Sequence, residues 1–195
     1  MRRVTDRTSN PFGVRAPGEP AVYGYGDANA DLHVIGADAE THGGAATGVP
    51  FTDSAAGRRL QGVLYAAGFA TEPYSDAPEL SNCYLSYLWL SPGDPADLER
   101  YLDAELRAIN AHILLPVGDD AISYVLEEFT TQARKLPHDA DALHATEVRG
   151  RGFLVLPVGE PARWEDGDEA ALLDRLESIL DGDYRQTKGV ATRVG

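Results

Sequence analysis

Four short apolar runs, each followed by a stretch in which apolar residues return at helical spacing, constrain this chain more than any other feature. The runs are residues 32–36, 83–89, 112–118 and 152–157, and each ends at or near a glycine, proline or turn cluster. Short runs of this kind, apolar on both sides, are how strands covered on two faces read. Between and after them, Leu60, Val63, Leu64 and Ala67, then Leu98, Tyr101, Leu102, Leu106 and Ile109, then Ile122, Val125, Leu126 and Phe129, mark helical stripes. The last stripe, Leu172, Leu173, Leu176, Ile179 and Leu180, is the most regular. The order βαβαβαβα predicts an α/β protein: a three-layer α/β/α sandwich around a central, mostly parallel four-stranded sheet, with ligands bound beyond the carboxyl ends of the strands.

A chain of 195 residues can bury one good core. Residues 1–24 are rich in Pro, Gly, Asn and Asp without periodicity and are expected to form an irregular arm. Residues 25–182 are expected to form the domain, and residues 183–195 a basic tail. No apolar run is long enough to span a bilayer. No apolar signal region follows the basic first residues, so a cytoplasmic protein, without membrane contact and monomeric, is expected. The single cysteine, Cys83, builds neither a disulfide nor a cysteine metal site. Acids outnumber basic residues 31 to 17, for a formal charge of -14, and Lys135 and Lys188 are the only lysines. Such a surface stays hydrated where molar salt screens repulsion beyond roughly 3 Å, which suggests a halophile. At ordinary ionic strength the same charge would instead argue against nucleic acid.

Three clusters fall at strand ends: residues 36–42, 81–83 and 158–161. A carboxylate past a strand end can activate water, an asparagine amide can read a base edge, and an aromatic ring can stack on it. Asp38, Asn82 and Phe51 suit those roles, although each type is more often a turn former, cap or packing group in a loop. Gly43, Gly44 and Gly48 lack the endings of phosphate-binding loops. His33, His42, His112, His138 and His144 are scattered without metal-ligand spacing, so no metal and no cofactor is expected.

In order, several segments resemble the uracil-DNA glycosylase superfamily, closest to its archaeal and thermophilic iron–sulfur branch. Residues 25–36, YGDANADLHVIG, resemble that branch's opening GYGDPNADVMVIGEAPG, and residues 48–51 with 56–60, GVPF and AGRRL, resemble GRPFVGRAGRLL. Residues 81–84, SNCY, stand where the branch has TNVVKCRPP, and residues 101–109, YLDAELRAI, resemble its helix YLEAELRAI. The resemblance implies hydrolysis of the N-glycosidic bond of uracil or another deaminated base in DNA. Asp38 would position water, with Gly36 and Ala37 beside it, Phe51 would stack on the pyrimidine, and Asn82 would bond its edge. Two departures stand out. Ala37 replaces the acid of GEAPG, and LPTYHPS appears as residues 156–162, LPVGEPA, so Glu160 takes the place of the histidine that would stabilise the departing anion. The branch's cluster cysteines are absent. Arg163, Arg185, Lys188 and Arg193 are the candidate phosphate contacts. The alternative is a non-catalytic member that binds nucleic acid or nucleotide.

Overall fold

The computed structural model describes residues 9–184. The order of elements is β1 (Tyr25–Gly26), β2 (Leu32–Gly36), α1 (Ala39–His42), α2 (Ala55–Ala66), β3 (Cys83–Tyr87), α3 (Pro95–Ile109) and β4 (Ile113–Pro116). It continues with α4 (Asp119–Phe129), α5 (Ala140–Leu143), β5 (Val148–Arg149), β6 (Leu154–Val155), a 3-10 turn (Pro161–Arg163) and α6 (Asp168–Asp181).

The sheet runs β1-β3-β2-β4-β6-β5. Its centre is parallel: Leu32 aligns with Cys83 of β3 on one side and with Ile113 of β4 on the other, and Ile113 aligns with Leu154 of β6. The expected count of four is corrected to six. Both added strands, β1 on β3 and β5 on β6, are antiparallel edges. They are two residues long, too short to carry a period.

Side-chain alternation builds the layers. Leu32 and Val34 of β2, Cys83 and Leu85 of β3, and Ile113 and Leu115 of β4 pack with Leu60 and Leu64 of α2 and Leu172 and Leu176 of α6. Ile35, Tyr84 and Leu114 face the other way, onto Leu102 and Leu106 of α3 and Ile122 and Leu126 of α4. Two helices thus cover each face. No helix among the described residues is long and apolar enough to cross a membrane. The described part of the N-terminal arm is tied to the sheet edge by hydrogen bonds from the Asn10 amide to the Gly24 carbonyl and from the Val22 amide to the Leu90 carbonyl, 2.8 Å each.

The layer under α3 holds a polar group. Tyr84 donates to Glu105 Oε1 at 2.8 Å, and Glu105 is 7% exposed. Burial pushes this carboxyl up to about 7, against weaker pull-down by hydrogen bonds from Tyr84 and Ser86. Between pH 4.5 and 7 the folded protein therefore binds a proton that the unfolded chain has released, so this site loses stability as pH rises through the window. A Glu105→Gln variant is expected to flatten that slope and to melt higher than wild type above pH 7. Melting curves from pH 5 to 8 check it, and parallel slopes in the two proteins would refute it.

Candidate active site

The chain leaves β2 toward α2 on one face, and leaves the neighbouring strand β4 into α4 on the other. Connections that part in this way open a crevice at the carboxyl ends of the two strands, the usual ligand position in open α/β sheets. Here it is a cleft of about 390 Å³, lined by His42, Gly118, Asp119, Asp120, Glu160 and Arg163 among others.

Its floor depends on Gly36, the last residue of β2. A Cβ there would lie 2.7 Å from Phe51 Cζ, 2.8 Å from His42 Nδ1 and 2.9 Å from Tyr87 Cε1, so a side chain would expel the aromatic cluster beneath. Phe51 sits in that cluster with its ring 5.2 Å from His42 and 5.3 Å from Tyr87. It is fully buried, at a positive φ of 58°. Tyr87 holds the loop in place: its hydroxyl accepts from the Phe51 amide at 2.8 Å and donates to the Gly43 carbonyl at 2.7 Å.

Asp38 caps α1, accepting from the Thr41 amide at 2.8 Å. One turn later His42 points back under β2, where the Ala37 amide donates to its Nδ1 at 3.2 Å. An Nδ1 that accepts carries no proton, so the proton is on Nε2. That Nε2–H donates to Glu160 Oε2 at 3.0 Å. Gly118 leaves the room for this pair: at φ +81°, a Cβ there would lie 3.3 Å from Glu160 Oε2.

Glu160 follows β6 and precedes the 3-10 turn. Burial opposes its charge, yet the His42 hydrogen bond and the nearby Arg163 hold the carboxyl below the usual glutamate range. Its other oxygen, Oε1, is buried and accepts no hydrogen bond among the described residues. The turn is braced from α2 by Arg59, which donates to the carbonyls of Pro161 and Trp164 at 3.1 and 2.8 Å and pairs with Glu169 at 2.6 Å. An ionised carboxylate fixed by a histidine in the lining of a cleft can face a developing positive charge.

A family model described as the Uracil DNA glycosylase superfamily matches residues 23–173. The chain belongs to the uracil DNA glycosylase superfamily. A comparison with curated proteins gives no match.

Within this superfamily domain, Ala37, Glu160 and Arg163 line the cleft, with Gly36 and Phe51 beneath it, whereas Asp38, the cap of α1, lines a separate pocket with Glu40, Trp89 and Leu98. Asn82 does not join them. It precedes β3 at the opposite end of the sheet, where its Oδ1 accepts from the Asp31 amide at 2.7 Å. Phe51 reaches the site from below, with its ring already covered. Arg185, Lys188 and Arg193 lie outside the described residues. The residue that sequence reasoning passed over is His42. Its signal was indirect: an acid at position 160, where the resemblance expects a histidine, calls for a partner, and the first loop holds one histidine. Relative to the resemblance the pair is exchanged, with the histidine on the first loop and the acid on the last.

Proposed function

We propose that the protein hydrolyses the N-glycosidic bond of uracil or another deaminated base in DNA, with Glu160 and Asp38 as its working carboxylates. The observation that carries this reading is the His42–Glu160 pair, which lines the crevice between β2 and β4. As the bond from C1′ to the base breaks, its electron pair leaves with the base and positive charge develops on the sugar. Glu160, Asp119 and Asp120 of the cleft lining face that charge with negative groups, and Asp38 stands two residues beyond the end of β2. Water then bonds to C1′ and gives its proton to Glu160, the departing base anion takes a proton from solvent water, and Glu160 returns its proton to the solvent. Arg163 is the cationic side chain of the cleft lining, and we assign it, with tail residues Arg185, Lys188 and Arg193, to phosphate.

A second reading, a non-catalytic nucleic-acid-binding member, has one observation in its favour: Phe51 offers no open face for stacking, because His42 and Tyr87 cover it. Abasic-site formation on uracil-containing single- and double-stranded DNA in molar potassium chloride separates the two. The first reading expects abasic sites that Asp38→Ala diminishes. Tight binding with intact DNA would establish the second.

A further inference from the structure

In this strongly acidic chain, residues 129–138 and residues 148–159 carry no acid, and three arginines and one of the two lysines lie in them: Arg134, Lys135, Arg149 and Arg151. The fold brings the two segments together. Thr130 and Gly150 form an antiparallel bridge, the Arg151 amide donates to the Phe129 carbonyl at 2.7 Å, and the rings of Phe129 and Phe153 meet edge to face at 5.6 Å. Ala133 and Leu136 pack against the core under α3 and α4, which leaves Arg134 and Lys135 between them exposed. On β5 the strand period does the same, with Val148 buried and Arg149 exposed. Arg151 follows, exposed, in the turn to β6. Elsewhere Arg59 pairs with Glu169, Arg107 with Asp103 and Arg175 with Glu147. The four cations of this patch make no ion pair and no side-chain hydrogen bond among the described residues. Of the acids nearest in sequence, Glu127 lies 3.8 Å from His138, Glu147 holds Arg175 at 3.1 Å, and Glu128 stands in the last turn of α4.

The patch stands at the opposite end of the sheet from the cleft. Arg149 aligns with Leu154, Leu154 with Ile113, and Ile113 with Leu32, and these three partners open their parallel strands, whereas Gly118 and Glu160 lie past the closing residues. Helix α4 spans the distance from Asp119 in the cleft to Phe129 at the patch, about 16 Å for its 11 residues. The cleft itself sets Asp119, Asp120 and Glu160 against Arg163 and holds phosphate poorly. Unopposed cations repel one another, an anionic partner relieves that repulsion, and the planar forks of three arginines match phosphate oxygens in pairs. We propose that Arg134, Lys135, Arg149 and Arg151 form a contact surface for the phosphodiester backbone of nucleic acid, separate from the cleft and indifferent to sequence. It retains the polymer while the cleft engages and releases a base, because two linked contacts must both open before the polymer leaves. Only the choice of DNA as the polymer rests on the functional reading.

The test is fluorescence anisotropy of the full chain with a short undamaged DNA duplex over a series of potassium chloride concentrations. Each phosphate contact adds roughly 0.9 to the slope of log affinity against log salt, so replacing all four cations by glutamine is expected to flatten the slope by roughly 3–4. The pairs Arg134→Gln with Lys135→Gln, and Arg149→Gln with Arg151→Gln, are expected to flatten it by roughly 2 each, and they carry the test if melting curves show the fourfold variant unfolded. A control of like charge change, Arg15→Gln with Arg100→Gln and Arg107→Gln, removes three exposed cations away from the patch and is expected to leave the slope unchanged. An unchanged slope in the patch variants, or equal flattening in the control, would overturn the proposal. So would a dimer that the patch substitutions dissociate with the slope intact, since the patch would then face an acidic surface of a second copy. Flattened slopes in a protein that forms no abasic sites would instead overturn the functional reading and keep the patch.

Discussion

A Glu160→Gln variant is expected to form abasic sites roughly 10²- to 10⁴-fold more slowly than wild type, the range lost when a positioned proton acceptor is removed. The substitution is close to isosteric, and a glutamine carbonyl can still accept from His42 Nε2–H, so the turn after β6 should hold its shape. What disappears is the negative charge and the basic oxygen. Because its environment holds the Glu160 carboxyl below the usual glutamate range, the wild-type pH–rate profile should keep its plateau down to that lowered value and fall only below it. In the variant that acid limb should vanish. The same depression makes Glu160 a stabilising group above the unfolded-state value, with the contribution lost as pH falls through the folded one. Glu160→Gln should therefore also reduce the loss of stability on acidification. Abasic-site formation from pH 3.5 to 8 reads the first effect and thermal melts over the same range the second. Unchanged rates in the variant would remove Glu160 from the chemistry.

The fold was more legible than the site, and the reasons are physical. Strands β2, β3, β4 and β6 are buried on both faces, so the burial requirement writes a continuous apolar run into the chain. Helices α2, α3, α4 and α6 each present one stripe to the sheet, and that stripe sets the spacing of leucines and valines. Edge strands β1 and β5 need only two ladder residues apiece and leave no such trace. The site is built across the chain. His42 meets Glu160 over a separation of 118 residues, and no local pattern encodes that meeting. The position of Asp38 just past a strand end is a local feature of the sequence, and the role the structure shows for it is the cap of α1, the one that residue type most often plays there. Asn82 illustrates the opposite hazard. Its placement rested on a motif aligned to the start of β3, whereas the crevice lies at that strand's far end. A shift of one strand length separates a base-reading group from a turn that holds Asp31.

Phe51→Ala is expected to destabilise the protein by about 3–5 kcal/mol, the cost of emptying a fully buried aromatic site. With roughly 2–4 °C of melting temperature per kcal/mol for a chain of this size, the midpoint should fall by on the order of 10 °C. The size of this effect discriminates between two roles. A ring kept open for a flipped base would be partly exposed in the free protein, and its removal would lower affinity at little cost to stability. Phe51 instead fills the space between Gly36, His42 and Tyr87, and its amide is held by the Tyr87 hydroxyl. Tyr87→Phe makes the complementary test. It keeps the rings and strands the buried Phe51 amide at about 1–3 kcal/mol, with a smaller loss at the half-buried Gly43 carbonyl. The two substitutions share one cluster, so the double variant should lose less than the sum of the single losses. Denaturant unfolding in molar potassium chloride, with equal m-values for all four proteins, measures the coupling. A Phe51→Ala variant that unfolds like wild type but loses nucleic-acid affinity would return Phe51 to base stacking and show that the cluster opens when the substrate arrives.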